Sequence, residues 1–163
     1  MCFILTLPHK LLVCYTPKQR AATFFSFSST ACLDRNIEDF MTLNELIYLL
    51  RTDLYRYEGN VSPTCFLRHY VRSPGFRYTF FMRLCAYLAS RPLLRFGLRH
   101  FFSYILNCMS VRYGISLPYT MQIGPGLYIG HYGSIVVNGD STIGRNCNLS
   151  HDVTIGQTNR GLR

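Results

Sequence analysis

Two histidines are the residues of this chain best suited to chemistry by type and spacing. His131 lies two residues after Ile129, and His151 lies two residues after Leu149. Imidazole titrates near neutrality, so histidines sharing one surface can take a proton from a hydroxyl and deliver it elsewhere. Gly130 and Gly133 flank His131 and would clear space for a small substrate beside the ring. A metal centre is not expected there, because no Cys, Asp or Glu falls close enough in this register to add to two histidine ligands.

The element that must position these histidines begins near Leu117. Bulky aliphatics recur at Leu117, Ile123, Ile129 and Ile135, then, after a two-residue offset, at Val137, Ile143, Leu149 and Ile155. Glycine follows the aliphatic at 124, 130, 144 and 156, giving IGPGLY, IGHYGS, IGRNCN, LSHDVT and IGQTNR. This is a hexapeptide repeat: the aliphatic turns inward, the small residue after it lets the chain turn, and the remaining positions face outward. Three such units make a coil of about 18 residues, which would bring His131 and His151 to one corner of adjacent coils. Ser141, Cys147 and Val153 fall at inward positions, so Cys147 is expected to pack and not to react. The glycines of GPGLYIG do not make a nucleotide loop, since the G-x-G-x-x-G spacing and a following helix are both missing.

Upstream, Thr42 followed by Glu45 forms a capping-box pattern, with Leu43, Leu46, Ile47, Leu50 and Leu54 behind it at helical spacing. A helix is predicted over about 42–57, ended by Gly59, Ser62 and Pro63. Phe76, Phe80, Phe81, Leu84 and Leu88 predict a second helix, and Pro92 opens a third through Ile105. Three parts result: residues 1–40 as an unstructured leader or non-native start, with Met1 or Met41 as the true start; 41–112 as a helical domain; and 113–163 as the hexapeptide-repeat unit.

Lys and Arg number 17 against 8 Asp and Glu, so the chain should attract anions. The arginines of the helical part (68, 72, 77, 83, 91, 95 and 99) are interleaved with aromatics and are expected on a solvated face opposite the core. No nucleic-acid module surrounds them, and no nucleic-acid partner is expected. Seven scattered cysteines without C-x-x-C or paired spacing suggest neither a disulfide framework nor a zinc site, so no metal is expected and reduced thiols in a cytoplasmic protein fit best. No apolar run is long enough to span a membrane.

The run IGPGLYIGHYGSIVVNGDSTIGRNCNLSHDVTIGQTNRG resembles the hexapeptide-repeat acyltransferases, above all the serine O-acetyltransferases and their relatives in polysaccharide gene clusters. The resemblance implies a mainly β fold, a left-handed parallel β-helix of about two and a half coils preceded by a small helical domain. It also implies a homotrimer with active sites between subunits, and acetyl transfer from acetyl-CoA to a small hydroxyl acceptor. His131 occupies the place of the family's catalytic base. His151 would line the site or help hold the oxyanion, and Gly156, Gln157, Asn159 and Arg160 would hold coenzyme A, with Arg163 near its phosphates.

Two positions depart from the family's pattern. Ser116 and Gly130 stand where serine acetyltransferases carry aspartates that orient the histidine and hold the amino acid. An orienting carboxylate would have to come from Asp140, Asp152, Asp53 or Glu58. L-Serine is the leading acceptor and a sugar hydroxyl the alternative. With fewer coils than the family uses, the chain reads as a truncated acyltransferase of weak or no activity. A reading of another class is a noncatalytic oligomerising fragment with a basic binding surface.

Overall fold

The structure, a computed structural model, describes residues 3–7, 10–14, 41–91 and 97–156. Four helices dominate it: α1 (Leu43–Glu58), α2 (Pro63–Arg72), α3 (Pro74–Ala89) and α4 (Leu98–Tyr113). Thr42 caps α1 with the complete box, its hydroxyl accepting from the Glu45 amide while the Glu45 carboxylate accepts from the Thr42 amide. Gly59 closes α1 in the left-handed conformation, φ 69°. Ser62 and Pro63, read in the sequence as a stop, instead start α2: Ser62 accepts from the Cys65 amide and Pro63 fills the first helical position. The third predicted helix begins at Leu98, and residues 92–96, including Pro92, lie outside the described residues.

Among the described residues nine strands accompany the helices. A hairpin of β1 (Phe3–Leu7) and β2 (Lys10–Cys14) lies within the stretch expected to be a leader. Seven shorter strands follow α4: β3 (Ile115–Ser116), β4 (Gln122–Ile123), β5 (Tyr128–Ile129), β6 (Ile135–Val137), β7 (Thr142–Ile143), β8 (Asn148–Leu149) and β9 (Thr154–Ile155). They pair in parallel as β3-β6-β9, β5-β8 and β4-β7, with β2 on the other side of β7.

This corrects the expectation of a mainly β protein built on a left-handed parallel β-helix. The helices hold 16, 10, 16 and 16 residues, whereas no strand of the hexapeptide segment exceeds three. Among the described residues the strands are short bridges in three small sheets, and no closed or coiled solenoid is formed. The physical reason lies between the aliphatics. Turns carry Gly126, Gly133, Ser134, Asn146 and Asp152 at positive φ, which interrupts strand geometry every few residues. A hexapeptide period specifies which side chains turn inward; it does not specify how far each strand extends.

Seven of the eight aliphatics of the period are buried, and Ile123 is half-buried. Leu117, Ile129, Ile135, Val137, Ile143, Leu149 and Ile155 are buried in one cluster with Tyr78, Met82 and Cys85 of α3 and Leu106 and Met109 of α4. Helices and hexapeptide segment thus share a core, each fully buried aliphatic contributing about 1.5–3 kcal/mol. Gly75 lets α3 sit directly on Ile129: a β-carbon there would run into the Ile129 carbonyl.

The arginine expectation also needs correction. Arg83 is buried, not solvated, and Arg77 donates to the Tyr70 carbonyl at the end of α2 and to the Tyr113 hydroxyl. No described helix is long and apolar enough to cross a membrane.

Candidate functional site

β5 and β8 pair in parallel with Tyr128 opposite Asn148 and Ile129 opposite Leu149. The amides of Tyr128 and Gly130 donate to the carbonyls of Cys147 and Leu149, which fixes a register of twenty residues. Two residues beyond each buried aliphatic, the chain leaves the strand and both histidines emerge exposed. Their rings meet edge to face, with centroids 5.8 Å apart and planes at 85°. The structure therefore brings His131 and His151 together on one surface, over a floor of Ile129 and Leu149.

The other edge of β5 is met by a side chain of α1. The Tyr57 hydroxyl donates to the Ile129 carbonyl (3.2 Å) and accepts from the Ile129 amide (3.3 Å), and its ring packs on Tyr128 at 4.6 Å. Burial pushes the Tyr57 phenol well above its ordinary range, so it stays protonated and keeps both bonds.

The same device recurs along the first row of the segment. Tyr78 on α3 donates to the Leu117 carbonyl (3.1 Å) and accepts from the Leu117 amide (3.2 Å). Arg83 donates to the carbonyls of Ile123 and Gly124, each at 2.6 Å. Asp53 accepts from the amides of Gly126 (2.9 Å) and Leu127 (2.7 Å), and Arg83 binds it through Nε at 3.0 Å. Four polar side chains of α1 and α3 thus satisfy a strand edge that would otherwise be open. Burial raises the Asp53 carboxyl above its usual range, against the lowering pull of Arg83 and the two amides. Because every neighbour is an N–H donor, the ionised, acceptor-only form fits the site.

Sequence reasoning offered Asp53 and Glu58 as orienters of His131; both are engaged elsewhere. Asp53 is consumed by the strand edge, and Glu58 pairs with Arg68 at the end of α1. Asp152 lies beside His151, its Oδ2 3.9 Å from Nε2, while Ser150 Oγ is 3.3 Å from Nδ1. The carboxylate of this surface therefore adjoins His151 and not His131. Ser116 lies exposed in β3, opposite Val136.

The glycines differ from one another. Space above Gly130 is taken by the Tyr128 ring, which a β-carbon would meet at 2.8 Å, whereas Gly133 faces open space and carries φ 117°. Room beside the histidines thus lies on the Gly133 side. Gly156 is exposed just after β9; Gln157, Asn159 and Arg160, expected to hold coenzyme A, lie outside the described residues, as does Arg163.

A second grouping was not foreseen. Glu58, Cys65 and His69 converge where α1 gives way to α2, with one ligand atom of each within 4.8 Å of the others. The signal available in the sequence was the four-residue spacing of Cys65 and His69, which puts them on one face once α2 is recognised.

No family model, curated protein or solved structure matches this chain.

Proposed function

We propose that the chain is an acetyl-CoA-dependent O-acetyltransferase acting on a small hydroxyl acceptor, with L-serine the leading candidate and a sugar hydroxyl the alternative. One observation carries the reading: two exposed imidazoles meet at 5.8 Å on equivalent positions of paired strands, beside a glycine with open space. Nothing structural demands such a pair on a surface, and a paired base and acid suits proton transfer at neutral pH.

In this mechanism His131 accepts the proton of the acceptor hydroxyl as its oxygen attacks the thioester carbonyl. The tetrahedral intermediate needs donors for its oxyanion, a role that suits His151, whose ring lies beside Ser150 and Asp152. Collapse breaks the carbon–sulfur bond, and the proton returns from His131 to the departing thiolate. Cytoplasmic location and assembly as a homotrimer belong to the same proposal.

The test is thiol release from acetyl-CoA, first with L-serine and then with sugar acceptors. Loss of a general base lowers the rate by about 10²–10⁴-fold. Turnover that falls this far in His131→Ala, with the far-UV spectrum unchanged, supports the reading. Full activity in that variant removes His131 from the role of base, and turnover with neither acceptor removes the activity.

A further inference from the structure

We propose that Glu58, Cys65 and His69 form a binding site for a divalent cation of the zinc class at the corner between α1 and α2. The three residues offer sulfur, imidazole nitrogen and carboxylate oxygen, the donor set a borderline-soft ion takes. Glu58 is the last residue of α1, Cys65 sits in the first turn of α2, and His69 follows one turn later on the same face.

One ligand pair already has the spacing an ion requires, and all three ligand atoms lie within 4.8 Å of one another. Tetrahedral bonds of about 2.0–2.3 Å place ligand atoms about 3.3–3.7 Å apart. His69 Nε2 lies 3.4 Å from Glu58 Oε1 and, although buried, makes no hydrogen bond. The opposite ring nitrogen, Nδ1, is 3.0 Å from Ser73 Oγ. That contact fixes the ring and leaves Nε2 facing the cluster, as an outer partner does for a ligating histidine. The rings of Tyr57 and Phe76 pack around His69 at 5.1 and 6.4 Å and limit water on that side. Cys65 is only 2% exposed, with Sγ 3.5 Å from the Asn60 carbonyl. Arg68 pairs with the same Glu58 oxygen, whose lone pairs would be shared between the guanidinium and the ion. Three protein ligands leave the fourth tetrahedral position to water.

The site stands apart from His131 and His151, so its test is independent of the acetyltransferase reading. The full chain, stripped with a chelator and kept reduced, is titrated with Co²⁺ and then with Zn²⁺ against a chromogenic competitor. One equivalent of Co²⁺ should give a thiolate-to-cobalt charge-transfer band and the visible bands of a tetrahedral ion, both displaced by Zn²⁺. Cys65→Ser should abolish the charge-transfer band, and Cys108→Ser should leave it intact. Ser73→Ala should weaken Zn²⁺ binding by about 10–100-fold. His69→Gln serves the same purpose as Cys65→Ser if that variant does not fold. Absence of the band, or its persistence in both Cys65→Ser and His69→Gln, overturns the proposal.

Discussion

Asp53→Asn is the substitution that most directly probes how the helices hold the hexapeptide segment. The asparagine side chain occupies the same volume and keeps one oxygen for the amides of Gly126 and Leu127. Its NH₂ then faces Arg83 Nε, which now bonds Asp53 Oδ2 at 3.0 Å. Arg83 is left as a buried cation at 4% exposure without its counter-ion. Breaking a buried pair in this way costs about 3–5 kcal/mol, a large share of the roughly 5–15 kcal/mol that holds a domain together. Arg83→Met should cost a comparable amount, because it strands the carboxylate and leaves the Ile123 and Gly124 carbonyls without their donor. The double variant strands no charge, so it should be destabilised by about 2–3 kcal/mol less than the sum of the singles. The chain has no tryptophan, so urea unfolding is best followed by far-UV circular dichroism. Single substitutions costing under about 1 kcal/mol, or a double equal to the sum within about 0.5 kcal/mol, would refute the argument that the pair acts as one unit.

Other outcomes follow from the same contacts. Tyr78→Phe leaves the buried amide and carbonyl of Leu117 without their shared partner and should destabilise by about 1–3 kcal/mol, read from the urea midpoint. Burial raises the Tyr78 phenol above its ordinary value of 10.0, so the folded chain holds that proton more tightly than the unfolded one. Its stabilising effect is complete below pH 10 and lost as pH rises toward the folded value; melting temperature should therefore fall above pH 10, with a shallower slope in Tyr78→Phe. Gly75→Ala should force α3 off Ile129 at a cost of about 1–3 kcal/mol, despite alanine's better helix propensity. Ile129→Ala should cost about 2–5 kcal/mol by opening a cavity beneath the histidines, whereas His131→Ala, at an exposed position, should leave stability within about 0.5 kcal/mol.

What the sequence disclosed depended on how local the signal was. The cap of α1 is written in Thr42 and Glu45, three residues apart, and the structure has both of its hydrogen bonds. The meeting of His131 and His151 followed from counting aliphatics, because inward residues set the register of paired strands. Fold class did not follow, since the aliphatic period is compatible with two-residue bridges as well as long strands, and four helices outweigh those bridges. The roles of Asp53, Tyr57, Tyr78 and Arg83 were illegible for another reason. Their partners lie 30 to 74 residues away, and nothing in a helical tyrosine or arginine announces that it will serve a distant backbone edge. Arg83 looked like one more solvated cation among many. Likewise α2 was hidden because a serine followed by proline suits the end of one helix and the beginning of another.

The side chains that close the first strand edge also give the molecule a direction. The side chains that satisfy that edge are on α1 and α3, with Ser110 of α4 donating to the Ile115 carbonyl, and all three helices precede the hexapeptide segment in the chain. Residues 115–130 thus follow their partners in the chain, and the row from Ile135 onward follows the row with which it pairs in register. A chain ordered the other way would hold unpaired strand edges while waiting for its helices, the condition in which nascent β structure aggregates. Placing the helices first puts the partners of each row ahead of it in the chain.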